Sequence, residues 1–304
     1  MNSDPPRMLV LRRTAWISTF LVLCIIGFSA TIRLSAAGLG CEPWPQCYGQ
    51  PAATPHAFGT ELLRVLHRVA AVVLLPLLLM LIMGGFAPRP QRWPQRWTAV
   101  MAVAVAIFLA VLGRWTAGAR VPAIALGNLL GGFVLLALCL RMALVGSAPW
   151  QTPALAARTA RWRALALVLI LLQVALGGLV SSSYAGLACT GPSGCALASE
   201  MPWQALDPWR LPPVDSASWP THPEGVLLQL LHRGTALLTV TAVVITAILL
   251  RRDGRPRLAG LLLALLALEV SLAALLVLQG LPLVAAVAHN LTAALLLALL
   301  FALP

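Results

Sequence analysis

Five histidines carry the conspicuous chemistry of this apolar chain: His56, His67, His222, His232 and His289. His56 and His222 each sit beside a proline between apolar runs, and no role is assigned to them. His67, His232 and His289 lie inside apolar runs, where an ionisable side chain is expensive and is retained for a function. Each lies six or seven residues from the same end of its run, roughly 10 Å along a helix axis. His232 and His289 therefore share one level on the sixth and eighth runs, read as neighbouring helices. Two imidazoles at equal depth in a bundle suit axial ligation of a haem iron. The plainer reading, two polar contacts between helices, leaves the shared level unexplained. Arg68 and Arg233 follow their histidines directly. A guanidinium there can pair with a haem propionate, or it can snorkel to the headgroups.

The elements that must position these residues are membrane spans. Of 304 residues, 60% are hydrophobic and only 10% charged, and the mean hydropathy is +0.89. Soluble domains are about 45–50% apolar and about 25% charged, so the excess has to face lipid. Apolar runs at 14–32, 62–86, 98–113, 122–140, 164–182, 225–250, 258–278 and 283–303 each approach bilayer length. The third is short and should extend into its flanks. The first is read as a retained span and not as a cleaved signal, because Arg33 follows it and no small-residue cleavage site is evident.

The net charge of +12 is all arginine against nine acids, with no lysine. The arginines form short clusters between apolar runs, not a continuous basic face, which argues against nucleic-acid binding. Arg7, Arg12 and Arg13, then Arg89, Arg92 and Arg96, then Arg141, Arg158, Arg161 and Arg163, then Arg251, Arg252, Arg255 and Arg257 place fourteen on one side. The opposite loops hold Arg33, Arg114, Arg120 and Arg210. The arginine-rich side, with both termini, is expected in the cytoplasm. The outer loop at 185–224, rich in Pro, Trp and Ser, reads as a lid, and 142–160 as a linker.

The chain reads as a duplication. Ser35-Ala-Ala-Gly-Leu-Gly-Cys41 leads to Cys47, and Ser183-Tyr-Ala-Gly-Leu-Ala-Cys189 leads to Cys195, with five residues inside each pair. Leu62-Leu-Arg-Val-Leu-His67-Arg68 aligns with Leu227-Leu-Gln-Leu-Leu-His232-Arg233. Leu135–Leu138 aligns with Leu296–Leu299, which sets Asn128 opposite His289. The offsets are 148, 165 and 161 residues. Four spans per repeat give both halves the same orientation. The fold expected is an all-α membrane protein of eight transmembrane helices, arranged as two pseudo-symmetric four-helix bundles, residues 1–150 and 151–304. The cysteines lie in outer loops, where disulfides persist. Pairing Cys41–Cys47 and Cys189–Cys195 is expected, either as structural staples or as redox-active bonds. Cys24 and Cys139 read as small buried hydrophobes.

Gly38-Leu-Gly-Cys41-Glu-Pro-Trp-Pro-Gln-Cys47-Tyr-Gly resembles the first-loop motif of the haem A synthase family, and Leu187-Ala-Cys189 through Cys195 resembles its second copy. Leu112-Gly-Arg-Trp-Thr116, Asn128-Leu-Leu-Gly-Gly132, His232-Arg233 and Pro282 through His289-Asn290 resemble further family segments. The resemblance implies a C-terminal half holding haem b through His232 and His289. It also implies an N-terminal half that takes the substrate haem o at His67. In that family a haem o methyl group becomes formyl by successive hydroxylations, for use in a terminal oxidase. The implied setting is a bacterial inner membrane. The implied partners are haem o, the haem o synthase that would supply it, lipid and an electron donor that the sequence does not identify; a homo-oligomer is compatible with this. Two positions depart from the pattern. Asn128 stands where the family has a second N-terminal histidine, and Arg64 stands where it has a glutamate, with Glu61 on another helix face. The competing function is a non-catalytic haem b protein of electron transfer or oxidase assembly.

Overall fold

The computed structural model describes residues 6–39, 45–49, 58–87, 93–116, 121–144, 154–189, 195, 202–212 and 222–303. Among these the chain is all-helical: α1 (Pro6–Ala36), α2 (Phe58–Phe86), α3 (Arg96–Thr116), α4 (Pro122–Leu144), α5 (Ala157–Ser182), α6 (Pro223–Arg252), α7 (Pro256–Leu278) and α8 (Leu283–Ala302), with two short 3-10 turns at Ala185–Leu187 and Trp203–Leu206. All eight helices are long and apolar enough to cross a membrane. Several start earlier than the apolar runs: α1 at Pro6 and not 14, α5 at Ala157 and not 164. Helical hydrogen bonding continues past the hydrocarbon into the interface, where arginine and tryptophan are stable.

The helices end for local reasons. At the end of α6, Gly254 takes a φ of +76°. The Arg255 N–H then bonds the Leu250 carbonyl at 2.9 Å, and the Gly254 N–H bonds Arg251 at 3.2 Å. This Schellman turn satisfies two orphan carbonyls and lets Pro256 start α7 at once. Opposite, α1 closes with the Leu39 N–H on Leu34 at 3.1 Å, and α7 with the Leu281 N–H on Leu276 at 2.9 Å. At the start of α6 His222 is the N-cap, its Nδ1 accepting from the Gly225 N–H at 3.1 Å, while Arg251 and Arg252 occupy the last turn, where the helix dipole favours cations.

Packing closes two rings. In the first, α1 touches α2, α2 touches α3, α3 touches α4, and α4 returns to α1; in the second, α5, α6, α7 and α8 repeat the circuit. The rings meet where α4 packs on α8, flanked by α1 against α8 and α4 against α5. Exchanging the rings turns the α1–α8 contact into the α5–α4 contact, as two related four-helix halves require. The seam is apolar: Phe133, Leu136 and Cys139 of α4 and Leu297 and Leu300 of α8 are buried. Gly178 brings α5 close to α4, since a Cβ there would come 2.6 Å from Leu126 Cδ2. At the arginine-rich end, Arg141 Nη1 donates to the Phe301 carbonyl at 3.2 Å, and Arg163 donates to the Leu303 carbonyl. Both satisfy carbonyls at the end of α8.

The other end is capped across the seam. Arg33 of α1 donates to the Ser181 hydroxyl of α5, a pair of positions 148 residues apart. Tyr48, 2% exposed, packs with Leu34, Ala37 and Leu39 and against Tyr184, Leu187, Leu281 and Leu283. Its ring meets Tyr184 edge-on at 6.0 Å. Burial and the Gly186 N–H at its oxygen govern the Tyr48 hydroxyl, and burial wins, so its pKa is raised. Within the long outer loop, the Pro208 carbonyl accepts from the Ala123 N–H at 2.7 Å, so the loop reaches the start of α4. Residues 190–194, 196–201 and 213–221 of that loop lie outside the described residues.

Candidate functional site: a polar layer inside the second ring

His232 lies two and a half turns into α6, and His289 lies two turns into α8. These helices are not side by side, as the equal depth had suggested. The second ring places α5 and α7 between them, so the histidines occupy diagonal helices with the bundle interior between. Consecutive helices pack as neighbours around the ring, which leaves helices two apart in sequence across it.

Each imidazole is engaged by an intervening helix. The Gln173 amide of α5 lies 3.0 Å from His232 Nδ1 and 3.4 Å from Nε2, facing the Cε1 edge of the ring. Its Nε2 also donates to the His232 carbonyl at 3.0 Å, and Thr235 donates to its Oε1 at 2.5 Å. Next to it, Gly177 leaves room for the ring: a Cβ there would lie 2.9 Å from His232 Cε1. On the other side, His289 Nδ1 lies 3.1 Å from Glu269 Oε1 of α7. The approach is off-line for a well-formed hydrogen bond, and neither Nδ1 nor Glu269 Oε2 has a hydrogen-bond partner among the described residues. The His289 side chain keeps 25% of its surface and Glu269 keeps 16%.

The cap closes over the layer from outside. Gln229, one turn above His232, donates to the Ala185 carbonyl at 3.1 Å and the Gly186 carbonyl at 3.0 Å. That ties α6 to the turn against which Tyr48 rests. Arg233 Nη1 reaches 3.8 Å from Cys195 Sγ, and Cys195 is bonded to Cys189. Cys47 is disulfide-bonded as well; Cys41 lies outside the described residues, as does His56. Cys24 and Cys139 are free, and Cys139 is buried. His222 is buried, and its removal from water lowers its pKa.

The first ring carries the related positions with different chemistry. His67 on α2 is half-buried and Arg68 is exposed. Asn128, half-buried on α4, lies on the helix diagonal to α2. Arg64 is ion-paired with Glu61 one turn away, so the acid and its substitute neutralise each other near the outer end of α2. From Ala99 to Gly113, α3 carries only apolar residues and glycine; α7 has Glu269 at that level.

Sequence reasoning singled out the histidines, the arginines and the cysteines. It passed over Glu269 and Gln173. The signal for Glu269 was present, since a carboxylate in the middle of the seventh run is as costly as a histidine there. Gln173 had no comparable signal, because a neutral amide on a helix is unremarkable until its partner is known.

Among the described residues no cluster of three or more His, Cys, Asp or Glu makes a metal site of its own. Two imidazoles on diagonal helices suit an iron whose remaining ligands come from a macrocycle. The carboxylate beside His289 fits such a role, because a metal-bound histidine donates its second ring N–H to an acceptor, whereas the group beside His232 is the donor end of the Gln173 amide.

A family model described as cytochrome oxidase assembly protein, COX15-CtaA, matches residues 62–301. A curated relative, the heme A synthase of Shewanella oneidensis, is 32% identical over 314 aligned residues, covering 92% of each chain.

Proposed function

Because the chain belongs to the COX15-CtaA family of cytochrome oxidase assembly proteins, we propose that it is a membrane oxidoreductase of haem A biosynthesis, converting one methyl group of haem o to a formyl group. The observation that carries this reading is the His232 and His289 pair on diagonal helices of the second ring, in a chain alike to a heme A synthase along nearly its whole length.

Residues 151–304 form the cofactor half, in which His232 and His289 would hold haem b. A haem held there supplies single-electron relay. Gln173 and Glu269 orient the two imidazoles, and Gln229 and Tyr48 keep water from the layer by fixing the cap above it. Arg233, close to the Cys189–Cys195 disulfide, takes a propionate at the outer edge. Residues 1–150 form the substrate half. There His67 binds haem o and Arg68 meets its propionates. With Asn128 opposite, His67 is the sole strong ligand and the other face of the substrate stays open for its oxidant. The protein lies in the bacterial inner membrane with both termini cytoplasmic. It receives its substrate from a haem o synthase, and its electrons come from a separate donor.

The test is expression of the full chain in cells supplied with haem o, followed by chromatography of the extracted pigment. Formyl haem is expected. Recovery of haem b with unconverted haem o would overturn the catalytic reading. If Asn128→His together with Arg64→Glu then restored conversion, the natural chain would be a haem b protein with an altered first site. His232→Ala and His289→Ala are each expected to abolish the low-spin haem b spectrum, and His67→Ala to leave it intact.

A further inference from the structure

We propose that Glu269 is a positioning residue of the cofactor site, holding the His289 imidazole through Nδ1 so that Nε2 is the nitrogen left to face an axial partner. This deepens the reading above and rests on it.

Glu269 sits in the most apolar of the eight spans, with a mean hydropathy of 2.7. A carboxylate is kept at such a depth only against a particular partner. The nearest one is His289, 3.1 Å from Nδ1 to Oε1 across the α7–α8 contact. Among the described residues nothing else bonds either Nδ1 or the second carboxylate oxygen. The pair is therefore exclusive, and its off-line geometry leaves the ring a short swing to complete a proper bond. An Nδ1–H given to a carboxylate fixes the neutral tautomer whose lone pair is on Nε2.

The internal repeat supports the coupling. Where α8 has His289, α4 has Asn128, and where α7 has Glu269, α3 is apolar from Ala99 to Gly113. The acid and its imidazole are present together in one half and missing together in the other. A carboxylate kept for helix packing or insertion has no reason to follow the histidine.

The two imidazoles also receive unlike partners. His232 faces the neutral Gln173 amide, and His289 faces a carboxylate. A carboxylate acceptor raises the electron density of the ring it holds. Glu269 therefore sets the cofactor potential lower than two neutrally partnered histidines would.

The experiment uses the full-length protein purified with haem b bound. Glu269→Gln keeps the shape and removes the charge, and a neutral side chain at this depth is easier to insert. We expect it to keep its haem, with a raised midpoint potential and a shifted low-spin ferric resonance. Glu269→Leu is expected to lose part of its haem, and Glu269→Asp to recover part of the wild-type potential. A Glu269→Gln protein with the wild-type potential and resonance would overturn the inference alone. Wild-type protein that takes up no haem, or a His289→Ala protein with an unaltered spectrum, would overturn the cofactor reading and this inference with it.

Discussion

At the residue scale, the space beside His232 is as informative as its partners. Gly177 is the α5 residue over which the ring lies, and its missing Cβ is what permits the contact. In a helix interior, glycine to alanine ordinarily stabilises by about 1 kcal/mol. At this position a Cβ 2.9 Å from Cε1 pushes the ring off its place, and with it the Gln173 contacts at 3.0 Å. Gly177→Ala is therefore expected to lower the haem content of the purified protein several-fold while its thermal midpoint holds or rises. Unchanged haem content would show that the ring has slack and that the glycine serves packing alone. Haem per chain, measured beside the unfolding curve, separates the two. The histidines were legible from type and depth. Their partners Gln173 and Glu269 were not read, because which helix flanks which is a property of the ring.

At the element scale, the outer cap joins two segments that are remote in sequence. Tyr48 follows a disulfide-bonded cysteine of the first half and is buried against the Tyr184–Leu187 turn of the second. Gly186 packs so close that a Cβ would lie 2.9 Å from the Tyr48 hydroxyl. Truncating a buried aromatic typically costs about 3–5 kcal/mol, and losing one buried hydrogen bond costs about 1 kcal/mol. Tyr48→Ala is thus expected to lower the thermal midpoint in detergent clearly more than Tyr48→Phe, with far-ultraviolet helicity unchanged below the transition. Wild-type midpoints for both variants would mean that the cap adds nothing to the stability of the membrane domain. The long loop was read as a lid from its composition. The Pro208–Ala123 bond shows part of it anchored on α4, in the other half of the chain.

At the scale of the whole molecule, two rings share the α4–α8 seam, and charge sorts their ends. Arg7 binds the end of α2 through the Gly84 carbonyl, Arg141 and Arg163 bind the end of α8, and Arg255 is buried at the turn between α6 and α7. The sequence puts fourteen arginines on this side of the membrane, and the orientation proposed for the chain sets that side in the cytoplasm. A reporter active only in the cytoplasm, fused after Pro304, is expected to be active, and a reporter active only outside is expected to be silent. The reverse pattern would invert the orientation and put the cysteine pairs in a reducing compartment.

Hydropathy and spacing alone determined the number of spans and set three histidines inside them, while the family was legible from the cysteine and histidine motifs. Those features are local or periodic, and transfer from water to lipid acts on each segment separately. Only the tertiary structure decided that α6 and α8 oppose each other across a ring. It likewise decided that a carboxylate on α7 and an amide on α5 stand beside the two imidazoles, and that Tyr48 closes the outer end. Apolar helices in lipid carry no strong sequence mark of which face meets which neighbour, because lipid tails and leucine side chains are nearly equivalent surroundings. Shape at close contact, set by glycines such as Gly177 and Gly178, makes that choice.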